Sequence, residues 1–171
     1  MRDYSPSCPE RQFPNAPIRT RRQTVQPDWI DYNGHMNVAY YTLAIDRGFD
    51  DLLEDWIGIG ESFVARSRLG PMSLQSQICY VGEMLEGEAF FVDIRLVDHD
   101  AKRVHFYADL VTEAGELAAT YEGLSICVDL ETRKTAKYPD WAQARLERLH
   151  KAQAALERPK TLGQPLGIRR R

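Results

Sequence analysis

The chain has 171 residues, 43% of them apolar, which is enough for one domain with a continuous core and no need of disulfides. Its 22 Lys and Arg against 25 Asp and Glu give a formal charge of -3, which argues against the positive field that nucleic acid requires. No apolar run approaches the roughly 20 residues of a membrane span, no secretory apolar stretch opens the chain, and Cys8, Cys79 and Cys127 lack metal-ligand spacing, so a reducing, cytoplasmic setting is expected.

In chain order, residues 1–19 carry Pro6, Pro9, Pro14 and Pro17 among polar residues and read as a flexible N-terminal arm. A short strand is expected at residues 20–26, stopped by Pro27, followed by a polar turn over residues 31–37. From Val38 the apolar residues Tyr41, Ile45, Phe49, Leu52, Leu53 and Trp56 recur at helical spacing, with Leu43 and Ala44 widening the stripe. Gly58 supplies the stop, and so wide an apolar girth implies a largely covered helix. Strands are expected around residues 62–68 and 73–81, broken by Gly70 and Pro71. Strict alternation puts Phe90, Val92, Ile94 and Leu96 on one face, and Val104, Phe106, Ala108 and Leu110 do the same in the next strand. Short polar links at residues 98–102 and 112–116 make hairpins leading to a third strand over residues 117–129. A last helix starts near Asp140, its expected N-cap, with Trp141, Leu146, Leu149, Ala152 and Leu156 on one side. Residues 20–157 form the expected domain, and residues 158–171, ending in three arginines, read as a flexible tail.

This order implies an α+β fold in which a curved antiparallel sheet of about five to six strands buries one face against the early helix, an arrangement compatible with the hotdog fold. The polar turn before that helix concentrates chemistry. Asp31, Asn33, His35 and Asn37 stand at alternate positions, so in a locally extended segment their side chains project to one side, while the helix start offers unpaired N–H groups. A carboxylate, an imidazole and backbone donors are the kinds of group that thioester hydrolysis needs: a base or nucleophile, a proton route and an oxyanion site.

The pattern of Asp31, Asn33, His35 and Asn37 resembles that of the hotdog thioesterases, both the 4-hydroxybenzoyl-CoA type and the acyl-ACP type. The looser likeness runs over residues 20–129. The string of residues 27–37 looks most like the bacterial thioesterases associated with carnitine breakdown. The resemblance implies acyl-CoA or acyl carrier protein substrates, hydrolysis without a cofactor, and a homodimer or dimer of dimers whose sites use two subunits. It implies Asp31 as nucleophile or general base, Asn33 and His35 as orienting or proton-sharing groups, Asn37 beside them, and Glu83 as a second carboxylate. The oxyanion would be held by backbone N–H groups around Gly34 and Met36. CoA phosphates would call for basic residues such as Arg66, Arg68, Lys102 and Arg103. An acyl group bearing a quaternary ammonium would find candidates for an aromatic cage in Trp29, Tyr40, Tyr41 and Phe63.

Two other readings share the fold. A hydratase or dehydratase would place its His five residues after the Asp with Pro after the Asn, whereas Gly34 follows Asn33 here. A non-catalytic acyl-CoA-binding protein would be expected to lack Asp31 or His35, and both are present. Taken singly, the residues of the turn suit caps and tight turns equally well. Asp46, beside Arg47, reads as salt-bridged or solvated. Asp98, His99 and Asp100 sit at a hairpin tip with no further ligand adjoining, so no metal is expected.

Overall fold

A computed structural model describes residues 1–168. The arginines at 169, 170 and 171 lie outside the described residues. Two two-residue strands, β1 (Ile18–Arg19) and β2 (Gln23–Thr24), and a 3-10 turn over Pro27–Trp29 lead to the central helix α1 (Val38–Leu52), which runs into a single π turn, Leu53–Ile57. A short helix α2 (Glu61–Ser67) precedes β3 (Leu69–Tyr80), β4 (Ala89–His99), β5 (Arg103–Thr112) and β6 (Leu117–Asp129). The two-residue β7 (Lys134–Thr135) and helix α3 (Asp140–Gln153) follow. The strands form one antiparallel sheet ordered β1-β4-β5-β6-β3, with β2 on β4 and β7 on β6.

The alternation read from the sequence decides which face is buried. Phe90, Val92, Ile94 and Leu96 of β4 and Val104, Phe106, Ala108 and Leu110 of β5 are all at most 5% exposed and belong to the same core as Tyr41, Ala44, Ile45 and Leu52 of α1. Register shifts in β3 after Ser73, in β4 after Leu96 and in β6 at Ala118 insert bulges, which bend the strands and increase their twist so that the sheet can curve over the helix. Gly48 lets α1 approach closely, because a Cβ there would lie 2.9 Å from Val92 Cβ. The result is the expected hotdog arrangement, with four long strands and three short ones in place of five or six comparable strands.

Four expectations are corrected. The strand expected at residues 62–68 is α2: Phe63 and Ser67, four apart, are its buried residues, and the Phe63 ring meets Trp141 edge to face at 5.7 Å. Gly70 and Pro71 do not break the next strand, because β3 is an edge strand paired on one side only, where a missing N–H is tolerated. The strand expected at 20–26 is split, with Thr20 donating its N–H to Val92 O (3.0 Å) between the two short strands. At α3, Pro139 takes the N-cap position and Asp140 is the first helical residue.

The terminal segments are tied to the domain by contacts that their composition does not foretell. In the arm, Phe13 and Ile18 are buried, Arg2 pairs with Asp129 at 2.7 Å, and Ser7 N donates to Gly58 O at 3.0 Å. Arg145 of α3, only 5% exposed, donates to Cys8 O and Ile57 O at 3.1 and 3.0 Å, joining arm, helix end and α3. In the tail, Leu162 is buried and Thr161 Oγ1 hydrogen-bonds Tyr107 and Thr120 of the sheet.

Candidate active site at the start of the central helix

Residues 31–37 fold into a tight turn closed at both ends. Gly34 N donates to Asp31 O and Asp31 N donates to His35 O, each at 3.0 Å, and Gly34 adopts φ +82, where a side chain would be strained. The Asp31 carboxylate is half-buried. It accepts the Asn33 N–H at 2.8 Å through Oδ1 and the Asn37 side-chain amide at 3.4 Å through Oδ2. Asn37 also caps α1, its Oδ1 accepting the Ala39 N–H at 3.0 Å. One asparagine thus does both jobs between which the sequence left a choice: it caps the helix and it touches the carboxylate.

The extended geometry expected for this segment does not occur, so the four side chains do not simply alternate onto one side. Asn33 lies at the exposed turn and reaches Asp31 through its backbone. His35 lies within 3.2 Å of Met36 O through Nδ1 and lines a cleft with Met36, Val38, Tyr41, Tyr80, Val81, Gly82 and Glu83. His35 and the exposed Glu83 therefore share a cleft, although they are 48 residues apart in sequence. Tyr41 crosses it, donating to Gly82 O at 3.1 Å, and burial pushes its phenol above the usual tyrosine range.

The expected oxyanion donors need correcting. Gly34 N is engaged by Asp31 O, Met36 N by Met84 O at 2.8 Å and Asn37 N by Trp29 O at 2.9 Å. Among the described residues, the backbone N–H groups left without a hydrogen bond from residue 31 to residue 38 are those of Tyr32 in the exposed turn and of His35 and Val38. Val38 is the first residue of α1, where the helix dipole favours negative charge.

The basic candidates for CoA are not at this end of the chain. Arg68 directly precedes β3, whereas the cleft is lined by Tyr80, its last residue; twelve strand residues span roughly 40 Å. Lys102 and Arg103 begin β5 beside Ile126, the partner of Met72, again at the far end. Arg66 pairs with Asp3 and Arg103 with Asp100, which lowers the Asp100 carboxyl to about 2. Arg68, exposed and with φ +60, has no ion pair among the described residues.

The far end of α1 holds a second cavity that sequence reasoning missed. It is lined by Asp46, Phe49 and Asp50 of the helix, Pro71 and Ser73 of β3, and Phe106, Tyr121 and neighbouring residues of the sheet. The Phe49 ring lies 5.4 Å from Phe106 and 5.5 Å from Tyr121. Among the described residues Asp46 and Asp50 have no ion pair: Arg47 turns to Trp29 (5.3 Å) and Arg21 pairs with Asp51. Burial, reinforced by Asp46, raises the Asp50 carboxyl above the usual carboxylate range. The available signal was the spacing of Asp46 and Asp50, four apart on either side of Phe49, which puts both carboxylates on one helix face. The aromatic cage expected from Trp29, Tyr40, Tyr41 and Phe63 does not form. Trp29 stacks on Tyr40 at 5.3 Å under Arg47, and Phe63 is fully buried against Trp141.

A curved sheet over a central helix, with a carboxylate and open N–H groups at the start of that helix, defines the class of hotdog thioester hydrolases. Comparison agrees: residues 25–146 match the thioesterase-like superfamily, and the chain belongs to it. It is 30% identical over 152 residues to a betainyl-CoA thioesterase of Pseudomonas aeruginosa, covering 88% of this chain and 95% of that one. It is 29% identical to the L-carnitine dehydrogenase/betainyl-CoA thioesterase of Rhizobium meliloti, covering 91% of this chain but 31% of that longer protein. Among solved structures, a Staphylococcus aureus protein in complex with CoA superposes with a TM-score of 0.80 at 25% identity, covering 90% of this chain and 98% of that one. A candidate thioesterase from Pseudomonas putida KT2440 superposes with a TM-score of 0.77 at 30% identity over the same shares.

Proposed function

We propose that this protein hydrolyses acyl-CoA thioesters at Asp31, and that its preferred acyl group is small and carries a quaternary ammonium. The observation that carries the first part is the Asp31 carboxylate, held by the Asn37 amide and the Asn33 N–H beside the unengaged N–H groups of His35 and Val38. In one route the carboxylate attacks the thioester carbon, the C–S bond breaks, and water then hydrolyses the mixed anhydride. In the other, Asp31 takes a proton from the attacking water. Both pass through a tetrahedral oxyanion, which donors at the start of α1 stabilise by roughly 3 kcal/mol each. His35 Nδ1 lies 3.2 Å from Met36 O; an imidazolium that keeps Nδ1–H on this carbonyl carries on Nε2 the proton that the departing thiolate takes up, leaving the neutral imidazole.

A homodimer completes the site. Among the described residues the outer edge of β3 has no strand partner, and β3 carries Met72, Leu74 and Tyr80 at 39%, 55% and 48% exposure, with Val81 at 58% just beyond. A long apolar edge is a template for pairing with a second copy. Antiparallel pairing of two β3 strands about their midpoint lays the first residues of one strand beside the last residues of the other. That brings the Asp46/Asp50 cavity and Arg68 of a second copy to the His35/Glu83 cleft. Such a site offers what a cationic acyl-CoA needs: carboxylates and aromatic faces for the ammonium and a free guanidinium for phosphate. The names of the relatives support the same acyl class.

The test is thiol release from betainyl-CoA and from its uncharged isostere 3,3-dimethylbutanoyl-CoA. Asp31→Ala and Asp31→Asn are expected to lower kcat on both by at least about a hundredfold with unchanged Tm. Full activity in either variant would remove Asp31 from the mechanism. Light scattering of Met72→Lys/Leu74→Lys against wild type tests the dimer; an unchanged mass would place the interface elsewhere.

A further inference from the structure

The end of β4 and the middle of α3 meet at a cluster that thioester hydrolysis does not use. His99 is the last residue of β4, and 12% of its side chain is exposed. Glu147 and His150 are three residues apart on α3, so they leave the helix on one face. His99 Nε2 lies 3.2 Å from Glu147 Oε2, and the two imidazoles meet edge to face with centroids 5.8 Å apart. One ligand atom from each of the three side chains lies within 4.8 Å of the other two. Lys151 takes the other carboxylate oxygen, Oε1, at 2.9 Å, leaving Oε2 to the imidazoles. His99 Nδ1 is buried with no hydrogen-bond partner among the described residues, and Nε2 is the ring nitrogen that faces the Glu147 carboxylate.

We propose that His99, Glu147 and His150 bind a divalent transition-metal ion of the zinc type. Two imidazole nitrogens and a carboxylate oxygen suit a borderline-soft ion, whereas magnesium and calcium prefer all-oxygen shells. Tetrahedral coordination with bonds near 2.0–2.1 Å sets neighbouring ligand atoms roughly 3.3 Å apart. The His99–Glu147 pair already has that separation, and the His150 ligand nitrogen lies within 4.8 Å of both. Water takes the fourth position. The ion fastens α3 to the end of β4, and α3 in turn holds the arm and the end of α1 through Arg145. Its role is to secure this layer of the fold; the residues that act on the thioester lie on other elements.

The experiment uses the full-length chain without an affinity tag, stripped with EDTA and dialysed, then titrated with zinc chloride by calorimetry. One ion per chain is expected, together with a rise in Tm of several degrees that EDTA reverses. His150→Ala and Glu147→Gln, both at the half-buried surface of α3, are each expected to weaken binding at least tenfold. A Cys8→Ser/Cys79→Ser variant is expected to bind as wild type. No saturable binding, binding that persists in both α3 variants, or binding lost in the cysteine variant would each overturn the assignment.

Discussion

The two ends of α1 face the same sheet and share one core, yet their polar groups are in opposite states. At the N-terminal end the Asp31 carboxylate accepts the Asn33 N–H, and a single asparagine links the helix cap to that carboxylate. At the C-terminal end the helix has no basic residue in its last turn, and among the described residues Asp46 and Asp50 stand without an ion pair beside three aromatic rings. Acidic groups at that end also oppose the helix dipole. One end has the rigidity that positions a reacting group; the other keeps an unbalanced charge that a cationic ligand would neutralise.

The largest expected effect breaks the C-terminal end structurally. Arg145→Met leaves the carbonyls of Cys8 and Ile57 without their buried donor and is expected to lower stability by about 2–3 kcal/mol. Urea denaturation checks it, and a loss below about 1 kcal/mol would mean that the arm and the π turn do not depend on this contact. Next comes the charge contrast itself. Asp46→Asn with Asp50→Asn is expected to reduce kcat/KM for betainyl-CoA about tenfold while leaving 3,3-dimethylbutanoyl-CoA within about twofold, a selectivity change near 1.4 kcal/mol. Equal losses on both substrates would take the cavity out of ammonium recognition without touching the role of Asp31.

At the N-terminal end, Asn37→Ala removes both the cap and the contact to Asp31, and is expected to lower stability by about 1 kcal/mol. Asn37→Asp keeps a capping oxygen but sets two carboxylates face to face, so it should recover most of the stability and little of the activity. Recovery of both would reduce Asn37 to a cap. The smallest expected effect is a pH dependence. Because the native Asp50 carboxyl titrates above its unfolded value, its favourable contribution is present at low pH and lost as pH rises through the native value. Asp50→Asn should therefore match wild type near pH 4 and be the more stable near pH 7. The opposite order would mean that Asp50 gains a cationic neighbour in solution.

Much of the fold was legible because its signals are local. The alternation in β4 and β5, the helical stripe of α1 and the left-handed glycines that end α1 and turn β5 into β6 depend on neighbours only a few residues away. The chemistry of residues 31–37 was legible for the same reason, although the turn proved tight where an extended segment was expected. Misreadings arose where a distant partner decided the outcome. Residues 62–68 have apolar content that a strand could use, and packing of Phe63 against Trp141 selects the helix. Proline at 71 looks like a break until β3 is known to be an edge strand.

Sequence by itself determined the sheet's buried face, the buried central helix and the polar turn at its start, since each follows from side-chain period and turn chemistry over short spans. Only the tertiary structure decided which N–H groups at that turn are still open, that His35 and Glu83 share a cleft, and that the basic candidates lie at the other end of β3. It alone brought Glu147 and His150 to His99, from which they are separated by more than forty residues in the chain. Pairings over such distances rest on how α3 and the sheet pack together, and no local pattern in a single sequence encodes that geometry.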